Sequence, residues 1–155
     1  MRIGHGYDVH RLVPDRRLVL CGEAIPYELG LLGHSDADVA VHALMDAVLG
    51  ALALGDIGHL FPDSDPAYKD ADSMKLLAEV VGIMRERDYS LGNADITIIA
   101  EKPKLAPYIE KMRANLAGAF GCDISRISVK ATTEEGLGLG GSGIGANAVV
   151  LLEKI

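Results

Sequence analysis

The sequence predicts an α+β protein in which helices pack on one face of a mixed sheet of four to five strands. Two kinds of segment support this prediction. β-branched runs such as residues 94–100 favour strands, and apolar residues at helical spacing within 39–54 favour a helix. The order of predicted elements, ββααβαββ, is typical of a sheet with helices packed against it. At this length, residues 1–155 are expected to form a single domain.

Five segments are predicted strands because they are rich in β-branched and other apolar residues. They are residues 2–12, 17–21, 94–100, 127–132 and 146–152. Turn-forming residues at 13–16 are expected to join the first two strands. Residues 30–33 and 56–70 are predicted loops, the second because it is too rich in proline and aspartate for regular structure.

Three helices are predicted from their end signals and their apolar spacing. The first opens at Ser35, where a Ser-x-x-Asp pattern is typical of a capping box, and it ends at Gly55. The second covers residues 73–87, and the third begins near Pro107 and ends near Gly121. Five apolar residues of the first helix are expected to face the core: Val41, Leu44, Met45, Val48 and Leu52.

Charge and composition exclude several classes of function. The chain has 15 Lys and Arg against 22 Asp and Glu, a net charge of −7, whereas nucleic acids and anionic membranes attract basic proteins. Neither a nucleic acid nor a membrane is therefore an expected partner. The first residues lack the apolar core of a secretory signal, and residues 39–54 are too few to span a bilayer. Cys21 and Cys122 lie far apart in sequence, so we expect free thiols and a cytoplasmic location.

Asp8, His10 and His42 form a candidate metal site. Asp8 and His10 are two residues apart in a predicted strand and so point to the same side, although such a pair is usually only a polar strand edge. His42 alone is more often a hydrogen-bonded core residue, but the three together suit a divalent transition metal, above all zinc. Three protein ligands leave one coordination position for a substrate oxygen. Asp46, one helical turn after His42, is predicted to accept the other ring N–H of that histidine.

Two further segments carry groups that suit phosphate. His34 and Ser35 lie where a loop meets a predicted helix N-terminus, whose free N–H groups favour an anion, although simple capping by Ser35 explains the same pattern. Residues 131–135, Ala-Thr-Thr-Glu-Glu, either offer hydroxyls for phosphate and a carboxylate for magnesium or form a solvated strand end. The glycine-rich residues 136–145 precede a strand rather than a helix, so no dinucleotide site is predicted there.

Six motifs occur in order from the first residues to near the C-terminus. They are R-I-G-H-G-Y-D-V-H, G-L-L-G-H-S-D-A-D-V, H-A-L-M-D-A, G-D-I-G-H-L-F-P-D-S-D-P, D-I-T-I-I-A-E-K-P-K-L and V-K-A-T-T-E-E-G-L-G. Together they resemble the 2-C-methyl-D-erythritol 2,4-cyclodiphosphate synthase family. The resemblance is to its stand-alone members, because the chain has no room for the cytidylyltransferase domain that longer members carry.

The resemblance implies a phosphorus–oxygen lyase of the non-mevalonate isoprenoid precursor pathway. In this family the 2-phosphate of 4-diphosphocytidyl-2-C-methyl-D-erythritol 2-phosphate attacks the β-phosphorus, which closes the cyclic diphosphate and releases CMP. The implied metal ligands are Asp8, His10 and His42 for zinc and Glu135 for magnesium or manganese. His34 and Thr133 are implied to act on phosphate oxygens in the transition state.

The resemblance also implies substrate contacts and an assembly. The cytidine pocket would contain Ala100, Lys104, Leu105, Ala106, Ala131 and Thr132. Other contacts would come from Ser35, Asp56 and Gly58 and from a mobile loop of Phe61, Pro62, Asp63, Ser64 and Asp65. The implied assembly is a homotrimer in which each active site lies between two subunits. Leu139 and Ser142 replace an aromatic residue and an arginine that line an axial anion-binding cavity in many members, which puts that cavity in doubt here.

Two other functions stay open. A zinc-dependent phosphohydrolase would use metal-bound water and yield a linear product, but the sequence offers no strong general base beyond Asp46 and Asp56. A non-catalytic trimeric metal-binding module would unfold when its metal is removed.

Overall fold

The computed structural model describes residues 1–155, and its centre is a five-stranded sheet in the order β4-β1-β7-β5-β6. The strands of this sheet are β1 (Arg2–Pro14), β4 (Leu29–Leu31), β5 (Tyr89–Ile99), β6 (Ile127–Thr132) and β7 (Gly143–Lys154). Two short strands, β2 (Leu18–Leu20) and β3 (Glu23–Ile25), pair only with each other. Strands β5 and β6 are parallel and the other pairs antiparallel, which confirms the prediction of a mixed sheet.

Four α-helices are present, and the three longer ones cover one face of the sheet. They are α1 (Val39–Ala51), α2 (Ile57–Leu60), α3 (Ser73–Glu86) and α4 (Ile109–Phe120). Short 3-10 helices occupy Pro66–Tyr68, Ala106–Tyr108 and Ile124–Arg126. Helices on one side of a mixed sheet give the predicted α+β class.

Two glycines of β1 let α1 lie unusually close to the sheet. A Cβ at Gly4 would lie 1.7 Å from Ala47 O, and one at Gly6 would lie 1.9 Å from Ala43 O. Only glycine permits such an approach of two backbones. The side chains of α1 therefore reach directly to the strand that carries Asp8 and His10.

The core lies between the sheet and the helices, and the opposite face of the sheet is open. All five residues of the first helical segment that were expected to face the core are buried, four of them in α1 and the fifth, Leu52, at its C-cap. Helix α1 is apolar nearly all round because it packs against both the sheet and α3. On the open face, the exposed fractions of Ile3, Tyr7, Val9 and Val149 are 74%, 52%, 41% and 45%. A row of exposed apolar side chains on one sheet face is typical of a surface that binds another protein surface.

In the first third of the chain the two predicted strands are present as β1 and β2, but β3 and β4 were not predicted. A turn after Pro14 connects β1 to β2, close to the predicted residues 13–16, although the two strands do not pair with each other: β1 pairs with β4 and β7, and β2 pairs with β3. The predicted loop at 30–33 overlaps β4. Gly30 lies within this strand, and a Cβ at this position would come within 2.3 Å of Arg16 O. Glycine is therefore required here by the close approach of another backbone segment and does not indicate a loop.

Two boundaries near the first helix also differ from the predictions. Helix α1 begins at Val39 rather than at Ser35, because Ala37 has a φ of 57°, which no right-handed helix contains. Asp38 is the residue that caps it. The predicted loop 56–70 contains α2 and the 3-10 helix Pro66–Tyr68, because aspartates placed before them cap both short helices.

The remaining elements follow the predictions closely. Helix α3 and strand β6 match within one residue, and α4 ends where Gly121 takes a left-handed conformation with a φ of 64°. Strands β5 and β7 are longer than predicted. Cys21 and Cys122 are free thiols, as expected. The length and apolar character that a bilayer-crossing helix needs are found in none of the helices.

Candidate active site

The side chains of Asp8, His10 and His42 converge where β1 meets α1. Asp8 Oδ2 lies 2.8 Å from His10 Nε2 and 3.0 Å from His42 Nδ1, and the two ring nitrogens are 3.3 Å apart. Strand alternation directs Asp8 and His10 toward the helices, and the close packing of α1 supplies His42. One chain therefore brings all three predicted metal ligands together.

The outer nitrogen of each ring has its own hydrogen-bond partner. His10 Nδ1 lies 2.7 Å from Leu32 O, and because a carbonyl only accepts, Nδ1 is the donor; in the neutral ring the lone pair is therefore on Nε2. The outer nitrogen of His42, Nε2, lies 3.0 Å from Ser73 Oγ and 3.2 Å from Ser35 Oγ. Both inner nitrogens therefore face the carboxylate of Asp8.

This donor set fits a divalent metal ion. All three potential ligand atoms lie within 4.8 Å of one another. Their spacing is close to the separation of about 3.3 Å expected for atoms bonded at about 2.0–2.1 Å to a tetrahedral ion. One carboxylate and two imidazoles also match the ligand types that such ions take in catalytic sites.

Electrostatics also favour positive charge at the centre of this cluster. Burial alone would raise the pKa of the Asp8 carboxyl, but hydrogen bonds with His10 and His42 outweigh it and hold that pKa well below its ordinary value. Burial would lower the pKa of His10, but the adjacent Asp8 carboxylate outweighs it and raises the pKa. The site therefore stabilises a proton or a metal cation between these groups.

Asp46 does not accept a hydrogen bond from the ring of His42, so that prediction is wrong. Its Oδ1 accepts the backbone N–H of Ile57 at 2.8 Å and so fixes the start of α2 beside α1. Burial raises the pKa of its carboxyl. The outer nitrogen of His42 is instead met by Ser73 of α3, a residue that the sequence analysis missed because only tertiary packing brings it there.

His34 and Ser35 do not form a helix N-terminal anion seat. The amide of Val41 at the start of α1 donates to Asp38 Oδ1, and Asp38 is fully buried. His34 Nε2 donates instead to Asp65 O at 3.1 Å, which ties this residue to the segment after α2. Ser35 is buried and its Oγ accepts the N–H of Ala37.

The segment from Asp56 to Asp65 lies near the three residues Asp8, His10 and His42, which are called the triad below. Asp56 is exposed and caps α2, the helix that contains Gly58, by accepting the N–H of His59. Phe61 is buried against Tyr68, with ring centroids 5.3 Å apart, so it packs under the segment. Pro62 to Asp65 forms a turn, and the charge of Asp63 contributes to the raised pKa of His10. This segment thus borders the metal-ligand cluster.

A second group of predicted residues surrounds a pocket of about 220 Å³ at the ends of β5 and β6. All six residues carried over for the cytidine pocket line it, together with Thr133. The full lining is Ala100, Glu101, Pro103, Lys104, Leu105, Ala106, Ala131, Thr132 and Thr133. Most of its polar lining is exposed, so the pocket is open to a ligand.

Glu101 shapes the turn that follows this pocket. Its Oε1 accepts the N–H of Glu134 at 3.0 Å and that of Gly136 at 3.1 Å. These two amides flank Glu135, which has a left-handed φ of 56°. The sequence analysis missed this role, although Glu101 lies within one of the quoted motifs. The carboxylate thus holds the backbone on both sides of Glu135.

The triad and the pocket lie apart within one chain. Sheet register aligns Asp8 with Ala146, then Ile98, then Ala131. Three interstrand steps of about 4.8 Å separate the two groups by roughly 14 Å. No hydrogen bond joins them. Farther along, Ser142 Oγ donates to Leu139 O, and the Leu139 side chain lies over Gly145 on the open face.

Together, these observations describe an α+β domain with a candidate metal site, Asp8–His10–His42, and a separate pocket at the ends of β5 and β6. The YgbB family model matches residues 1–153, and the chain belongs to this family, whose curated members include 2-C-methyl-D-erythritol 2,4-cyclodiphosphate synthases. The relative of that name from Trichlorobacter lovleyi is 66% identical over 154 residues, which is 98% of each chain.

Solved structures agree with this assignment. The bifunctional IspDF from Campylobacter jejuni is 43% identical with a TM-score of 0.95, covering 99% of this chain and 42% of that longer chain. A 2C-methyl-D-erythritol-2,4-cyclodiphosphate synthase in a form bound to CDP is 42% identical with a TM-score of 0.92, covering 98% of this chain and 100% of that chain. At these identities the likeness extends beyond the fold to the family.

Proposed function

We propose that this protein converts 4-diphosphocytidyl-2-C-methyl-D-erythritol 2-phosphate into 2-C-methyl-D-erythritol 2,4-cyclodiphosphate and CMP, as a lyase of the non-mevalonate isoprenoid precursor pathway. The observation that carries the proposal is the assembled Asp8–His10–His42 triad in a chain of this family. Residues 1–155 would act as one functional domain, in the cytoplasm.

The reaction needs no nucleophile from the protein. An oxygen of the 2-phosphate bonds to the β-phosphorus, the bond from that phosphorus to the bridging oxygen breaks, and CMP leaves with this oxygen. The protein must hold two mutually repelling phosphate groups close together and offset the charge that moves during transfer. A site of fixed donors and cation ligands is suited to this task.

The two carboxylate-containing regions would hold the metal ions. Asp8, His10 and His42 would bind zinc, and Glu135 would bind magnesium or manganese with the diphosphate. When bound, such ions neutralise phosphate charge and orient phosphate oxygens.

His34 and Thr133 would contact the reacting phosphate oxygens. His34 Nε2 is a donor that now bonds Asp65 O, so a phosphate oxygen that replaced this carbonyl would also release the segment of Phe61, Pro62, Asp63, Ser64 and Asp65. Thr133 is exposed at the mouth of the pocket. Ser35, Asp56 and Gly58 would complete the substrate contacts on the triad side.

The pocket at the ends of β5 and β6 would take the cytidine. The CDP-bound relative and the lining residues support this assignment. Ala100, Leu105 and Ala106 offer backbone groups and a small apolar surface for the base, and Lys104 offers a cation for a nearby phosphate. The acidic chain thus would bind its anionic substrate through local positive groups despite its net charge of −7.

A homotrimer would bring the two half-sites together. The apolar open face of the sheet offers a surface for a second copy, and the metal triad and the pocket stand roughly 14 Å apart in one chain. A heterologous interface, closed into a ring of three, would place the triad of one chain against the pocket of the next. Each active site would then belong to two subunits.

Phosphorus NMR of the product tests the proposed reaction. The substrate is incubated with the protein, zinc and magnesium, and the proposal predicts a cyclic diphosphate and CMP in equal amounts. A linear bisphosphate with CMP would show a zinc phosphohydrolase instead. No turnover, together with unfolding when a chelator removes the metal, would show a metal-binding module.

A further inference from the structure

The ring of His42 lies between two acceptors that compete for its single proton when it is neutral. On the inner side, Nδ1 lies 3.0 Å from Asp8 Oδ2. On the outer side, Nε2 lies 3.0 Å from Ser73 Oγ. Only the tautomer with its proton on Nε2 leaves the Nδ1 lone pair free for a metal ion. A group that makes the Ser73 oxygen a better acceptor therefore favours the tautomer in which His42 Nδ1 can bind a metal ion.

Asp36 determines the direction of the hydrogen bond at Ser73. The hydroxyl of Ser73 donates to Asp36 Oδ1, and the backbone N–H of Ser73 donates to Asp36 Oδ2 at 3.0 Å. As a carboxylate, Asp36 can only accept, so the one hydroxyl proton of Ser73 points to it. The Ser73 oxygen is then left to accept from His42 Nε2–H.

The surroundings hold this pair in place. Ser73 is fully buried at the first position of α3. The Asp36 carboxylate also accepts the N–H of Asp38, and Asp36 N–H donates to Ala71 O. Ser35 Oγ also lies near His42 Nε2, but at 3.2 Å and without a carboxylate that orients its hydroxyl. The Asp36–Ser73 pair is therefore the contact that orders the proton.

We propose that Asp36 and Ser73 are positioning residues that hold the His42 proton on Nε2 and so present Nδ1 to the metal ion. The inference rests on the proposed metal site but concerns the ring in the metal-free protein as well. It assigns to an Asp–Ser pair from two separate segments the role that carboxylates commonly play behind metal-binding histidines.

Two variants test the inference, with a third as the control. Ser73→Ala removes the outer acceptor. Asp36→Asn keeps the shape but cannot accept both Ser73 N–H and O–H as a carboxylate does. Asp72→Asn alters the neighbouring cap of α3, which accepts the N–H of Met74 and does not touch His42. Thermal unfolding of all three separates loss of fold from loss of ring position.

The first measurement is the tautomer of His42 in the metal-free protein at about pH 9, well above the ordinary imidazole pKa of about 6.5. Long-range proton–nitrogen NMR correlations report which ring nitrogen carries the proton. Asp8 competes for this proton in every variant, so the test is a comparison. Ser73→Ala and Asp36→Asn are expected to have a smaller Nε2–H population than wild type and Asp72→Asn. If Asp36→Asn does not fold, Ser73→Ala alone decides the outcome.

The second measurement is zinc affinity by competition with a chelator. We expect Ser73→Ala and Asp36→Asn to bind zinc about 10–100-fold more weakly than wild type, with Asp72→Asn unchanged. Unchanged tautomer populations and unchanged affinity in both variants would overturn the inference. Failure of wild type to bind zinc would instead contradict the proposed metal, while the tautomer comparison would still decide the role of the pair.

Discussion

The Asp8–His10–His42 triad and the turn at residues 131–135 differ in how firmly the surrounding chain holds their residues. In the triad, each ring nitrogen has a partner within 3.3 Å, and the supporting residue Ser73 is fully buried. In the turn, the residues are mostly exposed, and the Glu101 carboxylate accepts the backbone N–H groups on both sides of Glu135. Residues of the same chain thus hold every ring nitrogen of the triad, whereas the side chains of the turn remain mostly exposed to solvent.

This difference indicates what fixes the positions of the side chains in each region. Helix α1 packs against β1 through backbone contacts that only glycine allows, so the triad follows from the fold itself. The turn is held by the Glu101 carboxylate and by short local hydrogen bonds, and most of its residues are exposed. Mutations should therefore act on metal binding in the first region and on substrate positioning in the second.

The largest effect is expected for His42→Ala. The variant should lose turnover while staying folded, with reduced zinc content, because two remaining ligands seldom bind zinc tightly. Activity assays, metal analysis and circular dichroism check the three parts of this outcome. Near-normal activity of the metal-stripped variant would contradict the assignment of the triad.

A smaller effect is expected for Glu101→Ala in the second region. Two backbone N–H groups lose their shared acceptor, so the turn around Glu135 shifts, and misplacement of about 1 Å can lower turnover by about 100-fold. Zinc binding at the triad should be unchanged. Steady-state kinetics and zinc titration of the same sample test this contrast, and equal loss in both would show that the two regions are not independent.

Gly6→Ala tests the close packing that builds the triad. Its Cβ would lie 1.9 Å from Ala43 O, so α1 must move, and we expect a loss of about 3 kcal/mol in the free energy of unfolding. Zinc affinity should fall with it because α1 carries His42. Gly118→Ala in α4, where nothing lies within 4 Å of the new Cβ, is the matched control. It should stabilise by up to about 1 kcal/mol.

The smallest expected effect is a pH dependence from Asp38, the cap of α1. Burial raises the pKa of its carboxyl to about 6, above the value of about 3.9 in an unfolded chain. Because the folded state holds this proton more tightly, the contribution of Asp38 to stability is complete below about pH 4. It is lost as the pH rises through about 6.

Denaturant unfolding of wild type and Asp38→Asn across this range measures that contribution. The stability of wild type relative to the variant should fall by about 2–3 kcal/mol between pH 4 and pH 7, since Asn does not titrate. Parallel pH profiles for the two proteins would show that Asp38 does not titrate in this window.

Sequence patterns predicted the elements that long, regular segments form. The periodicities of α3, β6 and α1 are local properties, and so is the alternation that places Asp8 and His10 on one side of β1. Strand β4 was predicted as a loop because its glycine is explained only by backbone that lies elsewhere in the chain, as the close approach of Gly30 to Arg16 O shows. The capping pattern at Ser35 also could not predict that Ala37 takes a left-handed conformation, because of which α1 begins only at Val39.

The supporting residues of the site could not be predicted for the same reason. Ser73 is 31 residues from His42 and on another helix, whereas Asp46 has the right local spacing but bonds Ile57. Glu101 acts on amides 33 and 35 residues away. The pocket residues were predicted from the family resemblance alone, and in the structure they line one cavity.

Complementation between two inactive variants tests most directly whether the triad of one chain works with the pocket of another. His42→Ala and Thr133→Ala each spoil one half-site, and equal amounts are dissociated, mixed and reassembled. Random assembly should restore about one intact site in four, because each heterologous interface pairs two independently chosen chains. Each variant reassembled alone is the control. No recovery, in assemblies shown by mass to contain both variants, would contradict the shared site.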